Sequence, residues 1–339
     1  MAKIVSVMCM SHSPYLFAEA EAWERARAAR AAIPEAFAPD VPVDSKEENA
    51  DKQARCVAAM DRLREVIEDS RPDVILVFGD DQLEQFTFQN FPALCIFTGD
   101  RFAGFKLSPY AGLPIPGERR EENPRTDEHW VEMQSHSALA RHMMTDLVRQ
   151  GFDLAFSNEV NEHGIGHAFT RPFVKLRPQY DIPVVPIYIN CYYGPQPTGM
   201  RCYEFGRAIA RAVESFPEDL RVAVLGSGGL WHTPMVRRAH IHKDFDKAVI
   251  DAVRSGDAAA MAQAFDGFAP SFDPDDAETV ERLSAGTGMV LGFGSGTGET
   301  RNWIAAAATV DGMPGHVVDY IEINASPVGA GFAYWNLGN

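Results

Sequence analysis

The stretch Val222-Ala-Val-Leu-Gly-Ser-Gly-Gly-Leu-Trp-His232 runs from an apolar segment into a glycine turn and then presents polar groups. Its first residues read as a buried strand. Gly226, Gly228 and Gly229 let the backbone turn sharply at the strand's carboxyl end, where open α/β sheets place their ligands. The same design occurs twice more: Ile4–Met8 leads to Ser11-His12-Ser13-Pro14, and Asp73-Val-Ile-Leu-Val-Phe-Gly79 delivers Asp80, Asp81 and Gln82. Three strands thus end in chemistry-bearing side chains.

Around them the pattern alternates. Helices are expected over 17–33, 46–69, 128–150, 199–215, 242–254 and 277–291, with strands at 73–79, 93–97, 154–156, 184–189 and 221–225. In the second helix Val57, Ala58, Met60, Leu63, Val66 and Ile67 recur near a 3.6-residue period, as in a helix covering a sheet face. Residues 34–44 and 100–126 are rich in proline and read as loops, the longer one as a lid or pocket wall. Strand–helix alternation predicts an α/β fold: one domain over 1–339, a central mixed sheet with helices on both faces, and an active site at strand ends.

Composition narrows the function. A chain of 339 residues buries enough surface to fold without a disulfide or structural metal, so a metal here would serve function. Five cysteines without paired spacing, and a start without a signal peptide, predict a reduced cytoplasmic setting. No apolar stretch approaches a membrane span, and a net charge of −16 repels phosphate backbones, so neither membrane nor nucleic acid is expected as a partner.

Several residues are open to more than one reading. His12 beyond its strand suits a ligand or a structural histidine. Asp80 and Asp81 suit a metal or the cap of a following helix. His163 and His167 flank glycines and could place an imidazole over a substrate or lie on a surface loop, while His142, one turn from Leu139, reads alone as a core histidine. Gly294-Ser-Gly-Thr-Gly298 lacks the Lys-Ser/Thr of a phosphate loop, which argues against nucleotide binding. No serine-hydrolase elbow follows a strand.

Together these residues resemble the class III extradiol ring-cleaving dioxygenases, the superfamily of the protocatechuate 4,5-dioxygenase beta subunit and the gallate-type enzymes. The likeness is strongest from Arg201 through Ser215-Phe-Pro-Glu-Asp-Leu220 to Gly226-Ser-Gly-Gly-Leu-Trp-His232. It implies a non-haem metal, Fe(II) or else Mn(II) or another divalent ion, held by His12, Asp81 and Asp244. Asp81 stands there for a family histidine, and Asp244 in Lys243-Asp-Phe-Asp246 for a family glutamate. His167, in Gly166-His-Ala-Phe-Thr-Arg-Pro172, is implied as the acid–base residue and His142 as a second pocket histidine. One histidine with two carboxylates would neutralise a divalent ion and favour harder metals, unless Glu84, His163, His232, His240 or His242 adds a ligand. Arg171, Tyr192, Tyr193, Ser295 and Thr297 are candidates to line a pocket for an aromatic carboxylate.

The resemblance implies extradiol cleavage of a catechol-type aromatic with O2. A divergent member performing oxygen-independent metal-dependent hydrolysis or decarboxylation, or a non-catalytic binding protein, is the alternative. It also implies a homo-oligomer or a complex with a small alpha-type subunit.

Overall fold

The computed structural model describes residues 1–232, 238–268 and 295–338. The expected helix at 277–291 lies outside the described residues. The strands are β1 (Lys3–Met10), β2 (Val74–Gly79), β3 (Leu94–Phe97), β4 (Arg101–Phe105), β5 (Trp130–Gln134), β6 (Ala155–Ser157), β7 (Val184–Ile189), β8 (Arg221–Ser227), β9 (His316–Ile323) and β10 (Val328–Asn336). The helices are α1 (Ala20–Ala31), α2 (Lys46–Ser70), α3 (Ser137–Arg149), α4 (Phe173–Leu176), α5 (Gly199–Glu214), α6 (Lys243–Ser255), α7 (Ala258–Phe268) and α8 (Thr300–Ala308).

Eight strands form one mixed sheet in the order β6-β3-β7-β2-β8-β1-β10-β9. The four central strands β7, β2, β8 and β1 are parallel, so their carboxyl ends share one edge. Each is buried on both faces, and side chains alternate between two cores. Val7 and Cys9 of β1, Leu76 and Phe78 of β2, and Val224 of β8 join the core formed with α3, α5, α6, α7 and α8. Met8, Met10, Ile75, Val77 and Leu225 face the core formed with α1, α2 and α4. The mixed sheet with helices on both faces is the architecture expected from the alternation.

Local signals account for several boundaries. Ser45 and Glu48 form a reciprocal capping box at the start of α2, the Ser45 hydroxyl accepting from the Glu48 N–H at 3.1 Å and the Glu48 carboxylate from the Ser45 N–H at 2.7 Å. Helix α8 is buried throughout and packs against both α5 and β8. Gly206 and Gly226 make that fit: a Cβ at 206 would collide with the Ala305 carbonyl, and one at 226 would stand 2.7 Å from the Asn302 carbonyl.

Three expectations change. The region 100–126 is not all loop, because it opens with β4, which pairs antiparallel with β5. The segment 128–150 is two elements. Trp130-Val-Glu-Met-Gln alternates, with Met133 buried between exposed Glu132 and Gln134, and α3 starts only at Ser137, where His136 Nδ1 accepts from the Leu139 N–H at 3.2 Å. The hairpin β9–β10 was not anticipated at all. Glycines weaken the strand pattern of β10: Gly329 lies under the Asp246 carboxylate and Gly331 under the Trp303 ring, close approaches that a side chain would block.

Asp246 is fully buried in α6, accepting from the Trp231 N–H at 2.8 Å and the Tyr320 hydroxyl at 2.6 Å, and so ties α6 to β9 and to the turn after β8. Burial pushes this carboxyl up to about 8 despite both donors. Because the folded value lies above the unfolded one, its stabilising contribution is complete in acid and is lost as pH rises through 8. Asp246→Asn should therefore flatten the fall in stability between about pH 5 and 8 by up to about 1.4 kcal/mol per pH unit, as read from urea melts across that range.

Candidate active site

The carboxyl ends of β1, β2 and β8 meet helix α8 at a buried cluster. One ligand-type atom each from His12, Asp80 and Glu299 lies within 4.8 Å of the others, and all three residues are buried. His12 Nε2 stands 3.5 Å from Glu299 Oε2 and 4.0 Å from Asp80 Oδ1. His12 follows β1 and Asp80 follows β2. Glu299 ends the short 3-10 turn Ser295–Glu299 that leads into α8.

Hydrogen bonds decide which nitrogen of His12 is available. The Ser227 hydroxyl donates to the Ala168 carbonyl at 2.8 Å, so toward His12 Nδ1, 2.9 Å away, it can only accept. Nδ1 therefore carries a proton, which leaves Nε2 as the nitrogen of the ring that can bind a metal. Arg171 holds the same residue through its backbone, donating from Nη1 to the His12 carbonyl at 2.9 Å.

Helix α8 and the turn after β8 are stitched together. Asn302 and Trp303 side chains donate to the carbonyls of Ser227 and Gly228, each at 2.7 Å, and Glu299 Oε2 accepts from the Gly229 N–H at 2.9 Å. Gly228 and Gly229 have φ of +112° and +65°, values side-chain-bearing residues rarely adopt. The Tyr192 hydroxyl donates to Glu299 Oε1. Gln82 Nε2 reaches Tyr192 Oη at 2.9 Å and Asp80 Oδ2 at 3.3 Å.

Burial, and then the facing Glu299, push the Asp80 carboxyl well above its usual range. Burial alone would also raise Glu299, but the imidazoles of His12 and His232 outweigh it and hold that carboxyl well below. Asp80 Oδ1 is buried with no hydrogen-bond partner among the described residues. An orphaned carboxyl oxygen, a second carboxylate and an imidazole nitrogen facing one another form a donor set that a divalent cation satisfies. The three residues fit a metal ion.

Beside the cluster, the His167 ring stands edge-on to His12 with centroids 4.8 Å apart, and its Nδ1 is 2.8 Å from Glu84 Oε1. His232 approaches from the other side, with Nε2 3.7 Å from Glu299 Oε1 and Nδ1 2.9 Å from the Leu230 carbonyl. Thr297 accepts from the His232 N–H at 3.0 Å, and Gly296 leaves room for the ring.

Among the residues expected at the site, His12, His167 and Thr297 are gathered there. Two of the expected metal-ligand residues lie outside the cluster. Asp81 is turned away from it: its carboxylate accepts from the N–H groups of Gln85 at 2.7 Å and Phe86 at 3.2 Å, shaping a turn rather than capping the helix that the sequence also allowed, and Asp80 is the member of the pair in the cluster. Asp244 is exposed in the first turn of α6, because the buried face of that turn presents Phe245 and Asp246, and the second carboxylate of the cluster belongs to Glu299. His142 lies at the opposite edge of the sheet, its Nε2 2.9 Å from Ser215 Oγ at the end of α5, next to Phe216, whose carbonyl accepts from the Ala2 N–H ahead of β1. Arg171 spends its guanidinium on the Leu107 and His12 carbonyls and so braces the ligand loop. His163 is exposed. Glu299 escaped the sequence reading, although an acidic residue directly after the glycine-rich turn Gly294–Gly298 was the available signal.

Residues 7–331 match the family model for the catalytic LigB subunit of aromatic ring-opening dioxygenase. The chain is 37% identical over 100 residues to the gallate dioxygenase of Pseudomonas putida, which covers 29% of this chain and 28% of that protein. It is 31% identical over 193 residues to the 2,3-dihydroxyphenylpropionate/2,3-dihydroxicinnamic acid 1,2-dioxygenase of Photorhabdus laumondii, covering 57% of this chain and 52% of that protein. The matched stretches therefore span about half or less of these two relatives. A namesake of the latter from Rhodococcus globerulus is 24% identical over 283 residues, 76% of this chain and 82% of that protein. In fold, the chain is similar to the crystal structure of an uncharacterized protein from Escherichia coli K12, with a TM-score of 0.50 at 12% identity over 97% of this chain and 99% of that one. With the match running through nearly the whole chain, this protein belongs to the family of the catalytic LigB subunit of aromatic ring-opening dioxygenases.

Proposed function

We propose that this chain is a metal-dependent dioxygenase that opens the ring of a small dihydroxylated aromatic, with His12, Asp80 and Glu299 holding a divalent ion, Fe(II) or Mn(II). The observation that carries this reading is the buried donor set, in which Asp80 Oδ1 has no hydrogen-bond partner among the described residues. A relative named for gallate and relatives named for 2,3-dihydroxyphenylpropionate direct the choice of first substrates. When bound, the ion would supply Lewis acidity toward two adjacent phenolic oxygens and a redox path between ring and dioxygen.

The chain's own residues supply position and proton transfer. Ser227 and Arg171 fix His12 through its ring and its carbonyl. Tyr192 and the Gly229 N–H fix Glu299. His167, edge-on to His12, is the group in reach to take a phenolic proton and return it as the ring opens. The buried surroundings keep bulk water from competing for those protons.

A second reading is favoured by the donor set itself. One imidazole with two carboxylates leaves a divalent ion without net charge, which weakens its hold on a catecholate and suits metal-assisted hydrolysis or decarboxylation without oxygen.

Protein dialysed against excess Fe(II) or Mn(II) should retain close to one ion per chain by elemental analysis. His12→Ala, Asp80→Asn and Glu299→Gln should each lose it, while the exposed Asp244→Asn should not; retention in all four variants would remove the cluster from metal binding. The Fe(II)-loaded chain should consume oxygen on gallate or 2,3-dihydroxyphenylpropionate and form a ring-opened product. Product without oxygen uptake would select the second reading. His167→Ala should slow ring opening by about 10² or more at unchanged metal content.

A further inference from the structure

Glu84 reaches the active site on a turn whose shape is enforced from both sides. After Asp80 the backbone passes through Leu83 at a φ of +65°, and the Asp81 carboxylate gathers the N–H groups of Gln85 and Phe86 beneath it. Asn161 clips the turn from the segment that precedes His167: its Nδ2 donates to the Glu84 carbonyl at 2.8 Å, and its N–H donates to Gln85 Oε1 at 2.9 Å. The outcome is a partly buried carboxylate held against His167. Glu84 Oε1 lies 3.1 Å from the His167 backbone nitrogen and 2.8 Å from its Nδ1. Gly166 permits the approach, since a Cβ there would stand 2.8 Å from Glu84 Oε2.

We propose that Glu84 is the positioning residue for His167, holding its imidazole in the Nδ1–H tautomer so that Nε2 is the nitrogen that exchanges protons with substrate. An ionised carboxylate can only accept, and here one oxygen accepts from both the main-chain N–H and the ring of the same residue, which fixes the ring's orientation as well as its tautomer. Burial would raise the Glu84 carboxyl, but the His167 contact outweighs it and keeps the group ionised. Asp81 is thereby given a different task from metal binding: it shapes the turn that brings Glu84 into place. This inference rests on His167 being the proton-transferring residue, and its first test needs no turnover.

Nitrogen chemical shifts of ¹⁵N-histidine-labelled full chain, stripped of metal with a chelator, distinguish Nδ1–H from Nε2–H, with the His167 signals identified by their loss in His167→Gln. Nδ1–H is expected in the unaltered protein, and finding Nε2–H there overturns the proposal without recourse to any variant. Glu84→Gln keeps the shape of the side chain but offers an amide that can donate to Nδ1, so the population should move toward Nε2–H. In the metal-loaded enzyme the same change should lower kcat about 10- to 100-fold at unchanged KM and metal content. An unaltered tautomer, or an unaltered kcat in an enzyme that opens rings, overturns it. If no aromatic is cleaved by the unaltered protein, the reading of its activity fails while the tautomer measurement still decides the role of Glu84.

Discussion

Two carboxylates and one imidazole, all buried, face one another where a parallel sheet ends, and this concentration of acceptors is the constraint that the rest of the structure serves. Like charges out of water repel and are poorly solvated, so Asp80 and Glu299 cannot both be ionised at rest without positive charge nearby. The fold answers with imidazoles on two sides and with N–H donors on the remaining oxygens. One oxygen of Asp80 is left over among the described residues, and that residual need is what distinguishes the cluster from a self-satisfied ion-pair network.

The supporting parts become intelligible from that point. The four central parallel strands bring the β1 and β2 ends side by side with the β8 turn. Glycines then let α8 sit directly on the sheet, so that Asn302 and Trp303 can reach the carbonyls after β8 while Glu299 reaches the cluster. Replacing either packing glycine would move the helix that carries a candidate ligand, so packing and chemistry are inseparable there.

How much of this was legible in the sequence differs by element. Strands β1, β2 and β8 could be read because each is a short apolar run ending at glycine or at polar residues, and His12 and His167 followed from their place beyond such runs and from the family resemblance. The choice between Asp80 and Asp81 could not be read. Adjacent residues project in different directions, and which one turns inward depends on the N–H groups of Gln85 and Phe86 capturing the other. Glu299 was marked in the sequence only by its place after a glycine-rich stretch, since its approach to the cluster depends on long-range packing of α8 beneath β8. For β10 the glycines that accommodate Asp246 and Trp303 lower the strand signal itself. The segment 128–150 misled because a helix-like composition spans a two-residue alternation at Trp130–Gln134.

The cluster draws His12 from the first strand and Glu299 from the approach to the last described helix. Such a site cannot assemble on a chain synthesised only as far as Asp80, because Glu299 is made well after His12 and Asp80. Intermediates that stop short of Glu299 consequently lack one carboxylate of the cluster. Distance along the chain thus sets when the donor set can become complete.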